Sequence, residues 1–414
     1  YYLSMGCIGT AIVVLPAGMS RSAWIAVVVS CAWVYALYRL DRKQAATRLR
    51  QHKRWYIIGG ILGGILLLGG SASLYTLKKD SADGRFLMWK ITTKAIQKQP
   101  ITGTSLGGFP AAYAETQAEY MASGKATEQE KLVAGCPEYA FNEYLQIGLE
   151  QGLVGLALFI GWLGLLFYKG IKNKRYACCG GLMSMAIFAF SSYPLQLPEF
   201  WVVLIFLGVM SVTPDKDEIR ENQAESNGHR WGKQIFFMGI AILGIGLFWM
   251  QKDHYKAYQQ WNKAQMFYNN KAYEAALEVY EPLYPLLKHK PEFLFEAAQS
   301  LSKTGQYEKA NEYLERAVLL SSDPMLYYVM AKNEQCLGEY RQAEKHLLHA
   351  IDILPERIYP YYLLMNLYTE PSYFQPAKLK KAIDSVLTKK PKVESSAIKE
   401  MKEKARSMLN NTSI

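Results

Sequence analysis

Two arginines beside apolar runs have the types and positions that could do chemistry in this chain. Arg21 opens an apolar run directly after a helix break at residues 15–18, and Arg85 lies in a polar segment farther along. A guanidinium stays charged, and its planar fork donates paired hydrogen bonds to phosphate. Two of them on one membrane face predict a clamp that neutralises a lipid diphosphate as its bond breaks. The alternative is that each arginine separately reaches the lipid headgroups.

A second group of polar residues lies in the segment 84–155, between strongly apolar runs. It contains Asn142 and Glu143, and it ends in Glu150 and a glycine-containing turn. A partly desolvated carboxylate can accept a proton, so a glutamate here is a candidate base. Glu150 is equally well explained as the polar end of a helix. Long loops on a rigid scaffold often carry sites, so we expect this segment to cap a site at the membrane surface.

The elements that must position these residues are predicted membrane spans. Crossing a bilayer core takes roughly 20 apolar residues, fewer if the flanking residues reach the interface. Long runs that are nearly uncharged are rare in the cores of soluble proteins. The predicted spans are Tyr2–Gly18, Ser22–Tyr38, Trp55–Leu74, Leu153–Tyr168, Tyr176–Ser191, Phe200–Val212 and Ile235–Met250. Because Tyr1 already lies in an apolar run, we expect further spans before it.

Basic residues predict the orientation of these spans. Lysine and arginine are concentrated in the connections 39–54 and 169–175, which are therefore predicted to be cytoplasmic. Alternation then places the loop 77–150, and everything after residue 250, on the outer side of the membrane. The formal charge of +11 is explained largely by this placement. Without a recognition motif it does not indicate a nucleic-acid partner.

The six cysteines have no paired spacing, and no metal-ligand pattern accompanies them. We therefore expect no disulfide framework, no metal and no cofactor.

A repeat of about 34 residues begins near residue 255. Alanines recur at two positions of the repeat, tyrosines at a third, and glycine precedes the last two tyrosines by two residues. The recurring residues are Ala264, Ala298 and Ala331; Ala276, Ala310 and Ala343; Tyr273, Tyr307 and Tyr340; and Gly305 and Gly338. The pattern resembles tetratricopeptide repeats, with three clear copies and a degenerate fourth around residues 373–377. Stacked repeats form binding surfaces and rarely catalyse reactions, so protein partners are expected here.

The apolar half resembles the O-antigen ligase and polymerase superfamily. The resemblance depends on short motifs that occur in order between the predicted spans. The motifs are Ser20-Arg21-Ser22-Ala23-Trp24, Gly84-Arg85, Pro100-Ile101-Thr102-Gly103, Leu106-Gly107-Gly108-Phe109, Asn142-Glu143-Tyr144-Leu145-Gln146, Glu150-Gln151-Gly152 and Tyr193-Pro194-Leu195. It covers roughly residues 1–250.

This resemblance implies an all-α, polytopic transmembrane helix bundle of the GT-C-like kind with a large outer loop, followed here by an α-solenoid. It implies a glycosyltransferase of a bacterial inner membrane, with the outer loop and the repeats in the periplasm. Such an enzyme takes a glycan from an undecaprenyl-diphosphate carrier without metal and passes it to a lipid, glycan or protein acceptor. Arg21 and Arg85 match the family's diphosphate-binding arginines. Asn142 would orient the loop or acceptor, and Tyr144 and Glu150 would support the helix.

One position departs from the family pattern. Phe141 stands where the family usually has a histidine before the asparagine, and phenylalanine cannot accept a proton. Three hypotheses follow from the absence of this histidine. Glu143, or in its place Glu138 or Glu150, takes the role of base; the diphosphate leaves with little base assistance; or this copy transfers glycan weakly or not at all.

The predicted domains are a ligase-like transmembrane domain at 1–250, a repeat domain at 251–400 and a tail at 401–414. The competing function is a non-catalytic membrane scaffold whose repeats recruit proteins of cell-envelope assembly. Ligase and polymerase share a donor and differ in acceptor, so the residues do not separate them.

Overall fold

The computed structural model describes residues 2–17, 20–41, 79–213, 230–391 and 393–411. Within these ranges the regular structure consists of helices without strands, so the all-helical fold class is confirmed. In the first half the α-helices are α1 (Tyr2–Ala17), α2 (Arg21–Asp41), α3 (Lys79–Lys98), α4 (Phe109–Ala122), α5 (Glu128–Val133), α6 (Glu143–Glu150), α7 (Gly152–Lys172), α8 (Tyr176–Ala189) and α9 (Pro198–Val212). In the second half they are α10 (Arg230–Met250), α11 (Lys252–Asn269), α12 (Tyr273–Leu287), α13 (Pro291–Lys303), α14 (Tyr307–Val318), α15 (Met325–Cys336), α16 (Tyr340–Ile353), α17 (Ile358–Leu367), α18 (Pro376–Thr388) and α19 (Ser396–Asn411). The predicted span Trp55–Leu74 lies outside the described residues.

Two helices of the described ranges are long and apolar enough to cross a membrane. They are the stretch Ser22–Arg39 of α2 and the whole of α7, and the apolar helices α8 and α9 are shorter. Apolar side chains on these helices are exposed: Leu158 is 71% exposed and Val202 is 69% exposed. Exposed apolar surface of this kind is the property that a lipid-facing helix needs.

The chain divides into two compact units that do not follow chain order. The first unit contains Tyr1–Ser105 and Tyr139–His229, and the second contains Leu106–Glu138 and Arg230–Ile414. The middle of the predicted outer loop is therefore packed with the repeats, whereas its two ends are packed with the apolar helices.

The first unit is held together by close helix packing. Leu163, Leu166, Leu182 and Leu204 of α7, α8 and α9 form a buried cluster. α2 packs along α8, where a Cβ added to Gly180 would lie 2.3 Å from Val34 Cγ2. Small residues allow helices to approach this closely, which matters where the surroundings are as apolar as the core.

The second unit contains the predicted repeats as antiparallel helix pairs: α11–α12, α13–α14, α15–α16 and α17–α18. Gly305 and Gly338 have φ of +82° and +80° in the turns between paired helices. Lys271 holds the same place in the first repeat with φ +60°. The recurring alanines are all buried, with exposures of 0–2%: Ala264, Ala276, Ala298, Ala310, Ala331 and Ala343.

The loop helix α4 is an integral part of this second unit. It packs against α16, and the Gln117 side chain donates from Nε2 to the carbonyl oxygens of Ile353 at 2.9 Å and Gly135 at 3.0 Å. Ser322 Oγ donates to the Pro137 carbonyl at 3.1 Å. This packing buries most residues of α4, including Phe109, which is 0% exposed.

The last predicted span runs into the first repeat helix without a flexible linker. Gln251 alone separates α10 from α11, and its φ and ψ of −80° and −8° are helical. Side chains from residue 237 to 250 are exposed all around α10, and Phe248 is 79% exposed. α11 then buries Ala257 and Ala264 on one face. The covalent connection between α10 and α11 is thus helical.

Candidate functional site

Arg85 is the centre of the polar site in the first unit. It lies on α3 and is partly exposed. Its Nη1 donates to the Ser191 carbonyl oxygen at 3.2 Å, and its Cζ lies 5.3 Å from the centre of the Phe141 ring. A guanidinium over an aromatic face is attracted by the ring quadrupole. These two contacts orient the guanidinium beside the segment that follows α8.

A series of aromatic contacts continues from Phe141, the ring beside Arg85. The edge of Phe141 meets Tyr193 with ring centres 4.8 Å apart, and Tyr139 stacks on Tyr193 at 5.2 Å. Trp89 lies one helical turn after Arg85, where its Nε1 donates to the Ala140 carbonyl at 3.2 Å. Large, stiff side chains lower the local dielectric and so strengthen the interaction of a nearby guanidinium with an anion.

Phe141 itself has a left-handed backbone, with φ +49°. A bulky residue seldom adopts this conformation, whereas asparagine, aspartate and histidine are several-fold enriched there. The next residue, Asn142, is the N-cap of α6, and its side-chain oxygen accepts from the Leu145 N–H at 3.1 Å. The turn at 141 thus directs the ring towards Arg85 while Asn142 starts the helix. Asn142 is 4% exposed.

Glu143 is a buried carboxylate with partners on both oxygens. It is 1% exposed. Oε1 accepts from the Leu195 backbone N–H at 2.6 Å, and Oε2 accepts from Gln196 Nε2 at 3.1 Å. Burial raises the pKa of Glu143 above its usual range, although the hydrogen bonds from Gln196 and Leu195 act in the opposite direction. In this geometry the carboxylate fixes the turn at 193–197, and its role as a base stays a prediction.

The other residues of this motif join α6 to its surroundings. Gln146 accepts from the Ala140 N–H at 3.0 Å and donates from Nε2 to Glu150 Oε1 at 3.3 Å. Tyr144 donates from its hydroxyl to the Ala186 carbonyl of α8 at 2.9 Å. Glu150, 8% exposed, lies at the end of α6. The polar residues of α6 therefore connect α8, the turn before α6 and the end of α6.

Two glycines allow the segment after α3 to lie directly against the junction of α6 and α7. A Cβ on Gly152, φ +69°, would be 2.0 Å from the Ile101 carbonyl oxygen. One on Gly103, φ +70°, would be 2.5 Å from the backbone carbon of Glu150. Backbone hydrogen bonds hold the two segments together, including Leu153 N to Pro100 O at 2.8 Å. Gly103 and Gly152, which belong to two different sequence motifs, thus permit the same close contact between backbone segments.

Arg21 begins α2, but its side chain lies outside what the structure describes. The preceding Ser20 accepts at Oγ from the Ala23 N–H at 3.4 Å. Whether Arg21 and Arg85 converge on one ligand therefore stays a prediction. Sequence reasoning missed Ser191 and Gln196 as partners of the site, and it quoted Gln146 within a motif without giving it a role. The Tyr193-Pro194-Leu195 motif marked the turn in the sequence, and Ser191 and Gln196 lie on either side of it.

Among the described residues there is no group of three or more histidine, cysteine, aspartate or glutamate side chains placed to hold a metal ion.

Comparison with known proteins divides the chain in two. Residues 6–160 match the family described as O-antigen ligase, a range that includes Arg21, Arg85 and the whole of α6. Residues 269–350 match the family described as anaphase-promoting complex, cyclosome, subunit 3. No curated protein matches the chain.

Solved structures resemble part of the chain at low similarity. MamA (41-end) from Desulfovibrio magneticus RS-1 is 16% identical over 38% of this chain and 78% of its own, with a TM-score of 0.28. A kinesin light chain from Podospora anserina with TPR-like repeats is 17% identical over 38% and 88%, with a TM-score of 0.31. The Yersinia enterocolitica secretion chaperone SycD, in complex with a peptide of the translocator YopD, is 17% identical over 37% and 93%, with a TM-score of 0.23.

The two family matches cover different parts of the described structure. The buried motif around Asn142 and Glu143 lies inside the matched ligase range, and the helix pairs from α12 to α16 lie largely inside the second. The N-terminal region of this chain thus matches the O-antigen ligase family, and helical repeats of the tetratricopeptide type follow it.

Proposed function

We propose that this chain is a membrane glycosyltransferase of the O-antigen ligase or polymerase type. It moves a glycan from an undecaprenyl-diphosphate carrier to a lipid, glycan or protein acceptor at the outer face of a bacterial inner membrane. The observation that carries the proposal is Arg85, a partly exposed guanidinium oriented by Phe141 and Ser191 inside the matched ligase range. An oriented guanidinium is suited to a diphosphate because it needs no reorganisation as charge develops.

The predicted topology supports the same location. The connection 169–175 between α7 and α8 is basic, which predicts a cytoplasmic location for it. α8 would then run outwards, and it ends at Ala189, close in sequence to Ser191, whose carbonyl oxygen accepts from Arg85. α2 would start at the outer surface, at Arg21, and run inwards along α8. Both arginines would thus lie at the outer membrane–water boundary, where Arg21 is proposed as the second diphosphate ligand.

The proposed reaction exchanges one bond at the sugar's anomeric carbon. The bond to the diphosphate oxygen breaks and the diphosphate leaves with the electron pair, neutralised by Arg85 and Arg21. The acceptor oxygen forms the new bond and loses its proton to a base or to water. Since both oxygens of Glu143 are already engaged, we propose that it positions the 193–197 turn and that the diphosphate leaves with little base assistance. Asn142 caps the start of α6, and Tyr144 holds α6 against α8.

The decisive experiment measures the donor in cells. A strain lacking this protein should accumulate undecaprenyl-diphosphate-linked glycan, measured by mass spectrometry of extracted lipids, and expression of the wild-type chain should restore its normal level. Arg85→Ala should reduce transfer about 100-fold or more, the loss seen when one donor to a developing anion is removed. Arg85→Lys keeps the charge without the fork and should retain part of the activity. Arg39→Ala, on the predicted cytoplasmic end of α2, is the matched control and should transfer normally.

Normal surface glycan with Arg85→Ala present in the membrane would contradict the enzyme proposal. It would favour the second candidate, a scaffold whose repeats recruit cell-envelope proteins, which the match at residues 269–350 supports. Removing residues 255–414 is a poor test of that candidate. The truncation would expose α4, which buries Phe109 and Gln117 within the second unit. Point changes on the repeat surface are therefore required.

A further inference from the structure

The second unit contains a groove to which the ligase-range loop contributes one wall. The cavity has a volume of about 940 Å³ and is lined by the N-terminal ends of α13 and α15, by the approach to α17 and by loop residues Cys136 and Glu138. Ser322, at the groove, donates to the Pro137 carbonyl and so attaches this loop segment to the repeats. The groove is therefore made from two distant parts of the chain.

The lining is acidic in a protein whose formal charge is +11. It carries the carboxylates of Glu138, Glu292, Glu296 and Asp323 against one guanidinium, that of Arg357. Within the described residues, the carboxylates of Glu138, Glu292 and Asp323 form no ion pair. The excess negative charge is thus not balanced by basic side chains of the lining itself.

Glu296 differs from the other three because both of its carboxylate oxygens accept hydrogen bonds from side chains, whereas Asp323 accepts at Oδ1 from the Met325 backbone N–H at 2.9 Å. Oε2 accepts from Trp261 Nε1 at 2.7 Å and from the Tyr280 hydroxyl at 3.0 Å, and Oε1 accepts from Gln265 Nε2 at 2.9 Å. Glu138, Glu292 and Asp323 are exposed. These three provide the charge that a ligand would meet.

Tyr328 gives an independent indication of a ligand. It is 4% exposed and lines the groove, and among the residues that the structure describes no group hydrogen-bonds its hydroxyl. A buried hydroxyl without a partner costs about 1–3 kcal/mol, so such groups call for an explanation. The ring is fixed by an edge contact with Tyr359 at 5.3 Å. A ligand carbonyl in the groove would supply the missing acceptor.

We propose that this groove binds an extended, positively charged peptide segment of a partner protein. Lysine or arginine side chains would pair with Glu138, Glu292 and Asp323, apolar side chains would contact Phe295, and a backbone carbonyl would accept from Tyr328. A neutral saccharide would leave the negative charge uncompensated, and an anionic glycan or lipid headgroup would be repelled. Because Glu138 belongs to the loop, the bound peptide contacts the ligase range directly.

The test selects ligands without assuming a partner. A phage library of random dodecapeptides is selected against the full chain in nanodiscs, and the enriched sequences are synthesised and measured by fluorescence anisotropy. The expected sequences are rich in lysine and arginine and compete for one site. Glu138→Lys with Glu292→Lys should weaken them at least 10-fold. The matched control, Glu308→Lys with Glu315→Lys on α14, also reverses two exposed acids and should leave binding unchanged.

Single changes test the two specific parts of the proposal. Glu138→Lys alone should weaken binding, because the loop is part of the groove. Tyr328→Phe should weaken it about 2- to 10-fold, the value of one hydrogen bond, without loss of stability. Absence of enriched peptides, enrichment without positive charge, tighter binding of saccharides, or equal binding to the doubly reversed groove variant would each overturn the proposal.

Discussion

Two carboxylates, Glu143 in the first unit and Glu296 in the second, are each held by several donors, but the donors come from different kinds of structure. The partners of Glu296 are side chains of α11 and α12, the helices of the preceding repeat. The partners of Glu143 are a backbone N–H and a side-chain amide from the short 3₁₀ helix Pro194–Gln196, about fifty residues away. Glu296 therefore connects neighbouring repeats that a fixed period relates, whereas Glu143 connects two segments that no period relates.

The difference predicts how each region responds to a small change in backbone freedom. Gly152 and Gly305 both have positive φ, but Gly152 is pressed against Ile101. For Gly305, no described atom lies within 4 Å of an added Cβ. Gly305→Ala should cost about 1–2 kcal/mol, the price of a left-handed alanine. Gly152→Ala adds an overpacking cost of about 1–3 kcal/mol and should abolish transfer by separating the segments at 101 and 152.

The measurement for this pair is hydrogen–deuterium exchange of peptides covering 141–150, together with carrier-linked glycan in cells. Gly152→Ala should increase exchange in these peptides, and Gly305→Ala should leave them protected. Lys271 already occupies the equivalent turn position of the first repeat with φ +60°, so a side chain fits there. Equal exchange at 141–150 in the two variants would remove the distinction between the regions.

This contrast also explains how far the sequence could predict the structure. In the repeats, one period specifies the helix pairs, the buried alanines and the turns, because each contact is made to a neighbour at a fixed separation. In the site, the motifs identified Glu143 and Gly152 as residues of interest. They could not identify Leu195 or Ile101 as the partners, because those contacts depend on the tertiary approach of irregular segments.

The sequence could not predict that the loop helix α4 belongs to the same compact unit as the repeats. Nothing in the local pattern of α4 distinguishes a helix that packs on α16 from one that covers the membrane surface. Phe109 and Tyr113 are compatible with both arrangements, and only the complementary surface of the repeats distinguishes the two. The position of Phe141 shows the opposite limit: the sequence marks the departure from histidine, but only φ +49° reveals that the backbone there still has the conformation that histidine adopts more readily.

The second prediction separates positioning from base catalysis at Glu143. Glu143→Ala leaves the Leu195 N–H and the Gln196 amide without their buried acceptor, which should destabilise the first unit by about 1–3 kcal/mol. Glu143→Gln keeps one acceptor, and a flip of the Gln196 amide pairs the other. For a positioning residue, Glu143→Gln should transfer glycan nearly normally and Glu143→Ala should not. A loss of about 10²–10⁴-fold in both variants would instead identify a base.

The pH dependence of stability gives a third test at the same residue. Burial raises the pKa of Glu143, so the folded state retains this proton at a higher pH than the unfolded chain does. Its contribution to stability is then greatest below the ordinary carboxyl pKa of about 4.3 and declines as pH rises through the raised value. Glu143→Gln lacks this decline. The apparent Tm of both proteins is followed by tryptophan fluorescence. As pH rises, the Tm of Glu143→Gln minus the Tm of the wild type should increase. A decrease in this difference would contradict a raised pKa.

The smallest expected effect compares two tyrosine hydroxyls, one in each unit. Tyr144 donates to the Ala186 carbonyl at 2.9 Å, whereas the Tyr328 hydroxyl has no partner among the described residues. Tyr144→Phe should therefore cost about 0.5–1.5 kcal/mol, and Tyr328→Phe should cost nothing or stabilise the second unit, because the buried hydroxyl no longer has to be desolvated. Hydrogen exchange of peptides around each position separates the two units, whose unfolding need not be a single transition. If Tyr328→Phe lost as much protection as Tyr144→Phe, the Tyr328 hydroxyl would already have an acceptor in the ligand-free protein, and it could no longer be counted as a donor reserved for a peptide in the groove.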